Sequence, residues 1–156
     1  IKKLVEGGRT RTESIYNTVR ELDESCKKVV FNDAARPFVP GYVLDEMLDL
    51  LDVYPVVKFC SKIVDYLMFV DDADSIQRID DRSKWLLCKA PVAYRAEIMR
   101  DVLAKSTEED ILSAESDLEL ALAKIPGIKI HPYVSEVFNY KITYLEDLEI
   151  VRNLLK

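Results

Sequence analysis

At 156 residues, with 49% apolar and 32% charged side chains, the chain is the size of one soluble domain and long enough to bury a proper core. A formal charge of −6 argues against non-specific binding to nucleic acid or to an anionic membrane. No apolar run approaches the ~20 residues of a spanning helix, and the longest candidate near the middle, Ile63 to Val70, is interrupted by Asp65.

Three widely spaced cysteines (Cys26, Cys60 and Cys88), with no CxxC pair and a single histidine, make zinc improbable and point to reduced thiols in a cytoplasmic protein. The chain begins at Ile1 without a signal-like segment, and reads as a piece of something longer. In chain order, Gly7-Gly8 first breaks an extended run and opens into a helix. Thr10 and Glu13 have capping-box spacing, and Ile15, Val19 and Leu22 form an apolar stripe. Glycines allow close backbone approach to a ligand, and a helix start favours anions. Gly-Gly before a helix is also a common connection.

Val29-Val30-Phe31 then reads as a buried strand that stops at Asn32-Asp33-Ala34-Ala35-Arg36-Pro37. Pro37 lacks a backbone donor and biases its predecessor toward extended geometry, so the strand gives way to a loop. Asp33 suits Mg²⁺, and Arg36 suits phosphate. Both can face the crevice past the strand ends where α/β sheets bind ligands. On residue types alone, an ordinary surface ion pair is the simpler reading.

Gly41 to Asp52 carries Leu44, Met47, Leu48 and Leu51 at helical spacing, and Val56-Val57-Lys58-Phe59 reads as a second strand. Strand, helix, strand implies a βαβ unit and a parallel sheet. Apolar runs on either side of Asp71-Asp72-Ala73-Asp74 predict a β-hairpin within residues 65–82, whose exposed apolar side chains want a cover. Helices are predicted over Glu97 to Leu103 and, unbroken, over Glu108 to Lys124, with a stop at Pro126-Gly127. Short strands are predicted at Ile128 to Ile130 and Asn139 to Ile142. A capping box from Thr143 to Glu146 opens a last helix with Leu148, Val151 and Leu155 on one face. His131, beside Pro132, reads as a satisfied loop residue.

Four motifs follow one another: Gly7-Gly8-x-x-Arg11-x-x-Ser14-Ile15-x-Asn17; Asn32-Asp33-Ala34-Ala35-Arg36-Pro37-Phe38-Val39; Asp81-Arg82-Ser83-x-Trp85; and Asn139-Tyr140-Lys141-Ile142-Thr143-x-x-Glu146-Asp147-Leu148. This succession, which covers nearly the whole chain, resembles the cytidylyltransferases acting on methylerythritol 4-phosphate or ribitol 5-phosphate. Glu108-Glu109-Asp110-Ile111-Leu112-Ser113 and the Tyr-Lys-Ile-Thr ending look slightly more like the ribitol-phosphate branch.

The resemblance implies a single domain with a doubly wound, mostly parallel α/β fold and a protruding β-arm at 65–82. It implies a cytoplasmic homodimer held through that arm. It implies transfer of CMP from CTP to a polyol phosphate, with pyrophosphate released and Mg²⁺ as cofactor, in isoprenoid or teichoic-acid synthesis. Gly8, Arg11, Ser14, Asp33 and Ala34 would line the nucleotide site. Asp33 would hold Mg²⁺, Arg36 and Lys141 would serve the reacting phosphates, and Arg36, Arg82 and Lys89 would meet the acceptor, Arg82 in the neighbouring subunit.

The family's Gly-rich triphosphate loop lies upstream of the first motif, so this stretch corresponds to the later two-thirds of such an enzyme and is expected to be inactive by itself. Where the family has Asp-Thr-Ile and Gln-Thr-Pro-Gln, this chain has Asp65-Tyr66-Leu67 and Lys89-Ala90-Pro91-Val92. An altered acceptor is one consequence. A degenerate, non-catalytic fold kept for dimerisation or binding is the alternative, and an unrelated α/β domain is a third.

Overall fold

The computed structural model describes residues 3–154. The first helix, α1 (Arg11–Arg20), starts at Thr10, whose hydroxyl accepts from the backbone N–H of Glu13 at 3.0 Å. The expected box is only half made, because the Glu13 carboxylate turns back to the N–H of Arg9. Strand β1 (Lys28–Phe31), helix α2 (Gly41–Leu50) and strand β2 (Val56–Lys62) follow. The arm is an antiparallel hairpin of β3 (Leu67–Val70) and β4 (Ile76–Asp80). Its acidic turn is ordered by Asp71, whose Oδ1 accepts from the N–H groups of Ala73 and Ser75 at 3.0 and 2.9 Å. Asp74 takes the left-handed conformation (φ 57°) that a short polar side chain tolerates.

Strand β5 (Leu86–Arg95) leads into α3 (Ala96–Ala104). No strand is expected here from the sequence, and Pro91, which cannot donate to a ladder, is unusual inside a central strand. The ladder accommodates Pro91 at an irregularity: Lys58 opposes Val92 while Cys60 opposes Cys88, and pairing with β1 has already ended at Val92.

The single helix expected from Glu108 to Lys124 is two, α4 (Glu108–Ser113) and α5 (Asp117–Lys124). Thr107 forms a full capping box with Asp110 for the first, and Ser116 accepts from Glu119 N–H to start the second. Gly127, at φ 75°, turns the chain after α5.

Strand β6 (Ile130–Val134) begins two residues later than predicted, so His131 belongs to the sheet and stacks on Tyr54 with ring centroids 3.9 Å apart. Asn139 to Ile142 is a loop rather than a strand, pinned by Ile142 N–H to the Ala35 carbonyl at 2.9 Å. Helix α6 (Asp147–Leu154) buries Val151, while Leu155 lies outside the described residues.

The sheet order is β1-β5-β2-β6. β1, β2 and β6 share one direction, and β5 runs against them. The β1–α2–β2 crossover thus joins parallel strands, as expected, but β5 fills the slot between them.

Alternation along the strands builds a core on each face. Val56, Val92 and Tyr94 pack with Tyr16, Val19, Met99 and Val102 from α1 and α3. Val57, Phe59 and Ala93 pack with Val43, Met47 and Leu51 from the α2 side. Each fully buried side chain of this size stabilises the fold by about 1.5–3 kcal/mol.

Candidate functional site

The chemistry-bearing residues gather at the carboxyl ends of β1, β2 and β6. Asp33 lies two residues past β1, and a tight turn closes with Arg36 N–H on the Asp33 carbonyl at 2.9 Å. Across that turn the Arg36 Nε stands 3.7 Å from Asp33 Oδ2. Ala34 is exposed at the turn's tip, and Pro37 comes just after.

On one side of the turn is a cavity of about 200 Å³ lined by Arg11, Ser14, Phe31, Asn32 and Asp33. Its wall is the start of α1. The Ser14 hydroxyl accepts from Gly8 N–H at 2.8 Å and donates to the Thr10 carbonyl at 2.9 Å, which fixes the Gly8 loop on the helix. A Cβ on Gly8 would run into the Glu13 side chain, so the loop needs glycine there.

On the other side is a cavity of about 510 Å³ lined by Arg36, Lys89, Asn139, Lys141 and Tyr144. Arg36 Nη1 donates to the Asn139 carbonyl at 2.8 Å, and Asn139 Nδ2 donates to the Ala90 carbonyl at 2.7 Å. Asn139 therefore ties the loop bearing Lys141 to both β5 and the Asp33 turn. Asp147 braces the same loop, taking the Tyr140 hydroxyl at 2.6 Å and the N–H groups of Thr143 and Tyr144 at 2.7 and 2.8 Å. Those bonds, the Tyr140 one foremost, hold the Asp147 carboxyl below its ordinary range. This carboxylate, rather than Glu146, organises the entry to α6.

Charge is arranged unevenly. Arg36 is largely desolvated, which lowers its pKa from the ordinary value against the pull of Asp33. Burial pulls Arg11 the same way, but its bonds to Asp117 and Asp33 prevail and leave it raised. Arg11 bridges the two acids: Nη1 to Asp117 Oδ1 at 2.6 Å and Nε to Asp33 Oδ1 at 3.3 Å. Lys58, on β2, is pushed down by burial, with Asp117 opposing the shift.

The predicted residues Gly8, Arg11, Ser14, Asp33, Ala34, Arg36, Lys89 and Lys141 thus share one end of the sheet. Arg82 does not join them in this chain. It is exposed on the arm, donating to the Val64 carbonyl and lying 5.6 Å from the Tyr66 ring centre. Sequence reasoning missed Asp117 and Tyr94 altogether.

The model of the family described as IspD: 2-C-methyl-D-erythritol 4-phosphate cytidylyltransferase matches residues 2–156. The chain belongs to this family. A cytidylyltransferase of that name from Dictyoglomus thermophilum is 29% identical over 99% of the chain and 67% of its own length. Another, from Chloroherpeton thalassium, is 28% identical over 100% of the chain and again 67% of its length. The chain therefore spans about two-thirds of these cytidylyltransferases.

Among solved structures, the 4-diphosphocytidyl-2C-methyl-D-erythritol synthase of Anaerococcus prevotii superposes with a TM-score of 0.82 at 22% identity, covering 98% of this chain and 69% of that one. The methylerythritol 4-phosphate cytidylyltransferase of Thermus thermophilus gives 0.80 at 24% identity, covering 97% and 72%. These likenesses establish the nucleotidyltransferase fold. The names of these relatives all belong to the methylerythritol branch; none supports the leaning toward ribitol phosphate. No helix among the described residues is long and apolar enough to cross a membrane.

Proposed function

We propose that the protein, in its full-length form, transfers CMP from CTP to 2-C-methyl-D-erythritol 4-phosphate. The observation that carries this is the junction at Asp33 and Arg36, where one turn separates the cavity of Arg11 and Ser14 from that of Lys89 and Lys141. CTP occupies the first cavity, and the acceptor phosphate the second. An acceptor phosphate oxygen attacks the α-phosphorus of CTP. A new P–O bond forms there as the bond from that phosphorus to the bridging oxygen breaks, and pyrophosphate leaves with the electron pair.

Two anions must approach, so catalysis rests on positive charge placed beforehand. Arg36 and Lys141, which line the acceptor cavity, supply it, and Lys89 adds a third cation. Mg²⁺ binds through one or two carboxylates together with substrate phosphates. Asp33, a part-exposed carboxylate between two guanidinium groups, fits that pattern. When bound, the metal would neutralise charge on the phosphates.

The same reading makes the enzyme a cytoplasmic homodimer with the arm laid over the partner and Arg82 at the partner's acceptor site. Supporting this, Met68, Phe69, Ile76 and Ile79 are each about half exposed or more on a hairpin that stands outside the main sheet. The departures at Tyr66 and Ala90 favour one second reading, a degenerate fold that binds CTP without turnover.

The test is the full-length protein with CTP against methylerythritol 4-phosphate, ribitol 5-phosphate and related polyol phosphates. The expected result is CDP-product from methylerythritol 4-phosphate, with Lys89→Ala reducing acceptor efficiency about tenfold, the worth of one hydrogen bond to a charged group. CTP binding without product from any acceptor would select the degenerate fold. Product from ribitol 5-phosphate alone would move the acceptor to the other branch.

A further inference from the structure

Asp117 is 2% exposed and Tyr94 is fully buried, and neither faces either cavity. A buried carboxylate is costly unless it is paired and hydrogen-bonded. This one is satisfied from two sides: Arg11 Nη1 at 2.6 Å on Oδ1 and the Tyr94 hydroxyl at 2.5 Å on Oδ2. Burial, reinforced by the Asp117 charge, pushes the Tyr94 phenol well above its ordinary range. It therefore stays protonated and donates. Asp117 is the first residue of α5, Tyr94 is on β5, Arg11 opens α1, and Asp33 lies two residues past the end of β1.

We propose that Asp117 is a positioning residue, held by Tyr94, that sets the Arg11 guanidinium so that it reaches from the buried carboxylate to Asp33, and Arg11 and Asp33 together line the nucleotide cavity. The proposal rests on the nucleotidyltransferase reading of that cavity. Left without Asp117, a long arginine side chain at a helix start has many rotamers, and only some reach Asp33. With its Nη1 fixed from behind, Nε lies at 3.3 Å from Asp33 Oδ1. Second-layer partners of this kind orient the groups that touch a ligand without touching it themselves.

The experiment uses the full-length protein with Asp117→Asn, Tyr94→Phe, Arg11→Ala and the Asp117→Asn/Arg11→Ala pair. CTP affinity, thermal unfolding and hydrogen exchange at the Arg11 side-chain Nε–H are measured on each. Asp117→Asn is expected to weaken CTP about tenfold, as the loss of a hydrogen bond to a charged group would. The double variant should bind no more weakly than Arg11→Ala alone, because both act through one guanidinium. Tyr94→Phe should give a smaller loss in the same direction, and it serves if Asp117→Asn fails to fold.

Multiplicative losses in the double variant, or a lower unfolding temperature with unchanged CTP affinity, would overturn the proposal and leave Asp117 a structural tie. Nucleotide exchange chemistry need not be present for the third readout. If the wild-type protein binds no CTP, the reading of the cavity fails, and the Arg11 Nε–H still decides the positioning. Its exchange should be clearly faster in Asp117→Asn, and an unchanged rate would contradict the proposal.

Discussion

Around Asp33 and Asp117, side chains from α1, α5, β5 and the turn after β1 close on one another through Arg11, so charged groups from distant parts of the sequence hold one geometry. The hairpin β3–β4 is built the other way. Its two strands pair with each other and form a separate sheet, and its apolar side chains point outward. The Arg78 guanidinium lies over the Phe69 ring, 4.3 Å from its centre, and leaves Phe69 47% exposed. Internal pairing gives the first region a fixed shape by itself. The second has charge partners along its own length but leaves its apolar side chains about half exposed, and its shape depends on what lies over it. In the proposed dimer the two regions are halves of one site, a fixed floor from one chain and an arm from the other.

The largest effect should come from removing the carboxylate proposed to hold Mg²⁺. Asp33→Ala in the full-length protein is expected to reduce CDP-product formation by about a thousandfold, comparable to losing a main electrostatic element of a transition state. Unfolding temperature should hardly move, because the side chain is part-exposed. Undiminished turnover would take Asp33 out of the mechanism.

The contrast in packing can be tested with one chemical change in two places. Met47 is fully buried under the sheet, and Met47→Ala should cost about 3 kcal/mol by denaturant unfolding. Met68 is 50% exposed on the arm, and in a dilute monomer Met68→Ala should stay within about 0.5 kcal/mol of wild type. Equal losses would mean that the arm is packed in the single chain after all.

Association is the third test. Phe69→Glu with Ile79→Glu should weaken self-association at least about tenfold by light scattering, since two charges would be buried in an apolar contact. A dimer of unchanged strength would place the interface elsewhere.

The smallest effect concerns pH. Asp110 is held down to about 2, first by its bond to Lys124 (2.7 Å) and then by the capping bonds of Thr107. A carboxyl depressed in the folded state stabilises above its unfolded pKa, and that contribution is lost as pH falls toward the folded one. The difference in unfolding temperature between wild type and Asp110→Asn should therefore be constant above about pH 5 and shrink between about pH 4 and 2. A difference that persists unchanged at pH 2 would refute the assignment.

Much of this architecture can be read in the sequence where local chemistry decides it. Thr10 before α1, the apolar run ending at Asp33, the stripe of Met47 and Leu51, and the acidic turn at Asp71 all name their elements. Reading fails where tertiary context prevails. Pro91 disqualifies β5 by rule, yet an irregular ladder accommodates it beside Phe59. Asn139 to Ile142 has strand-like residues, but Arg36 and Ala35 take up its backbone groups instead of a neighbouring strand.

Asp117 was hidden by the assumption of an unbroken helix from Glu108, which would leave it a solvated acid in mid-helix. The one signal that could have exposed it is Ser116 with Glu119 three residues on, a start signal in the middle of the presumed helix. Lys141 was legible only through the order of four motifs and Lys89 only through its place in the family's Gln-Thr-Pro-Gln, because no local pattern says that the two line one cavity.

The most direct test of the claim that floor and arm belong to different chains is subunit complementation. Full-length Asp33→Ala and Arg82→Ala proteins, each nearly inactive alone, are mixed under exchange conditions and assayed with CTP and methylerythritol 4-phosphate. If Arg82 serves the partner's site, each mixed dimer has one site with both lesions and one with neither. Activity should then recover to roughly a quarter of wild type, since half of the dimers are mixed and each has one intact site of two. If both residues served the same chain's site, every site would carry a lesion, and activity no higher than that of the separate variants would contradict the account.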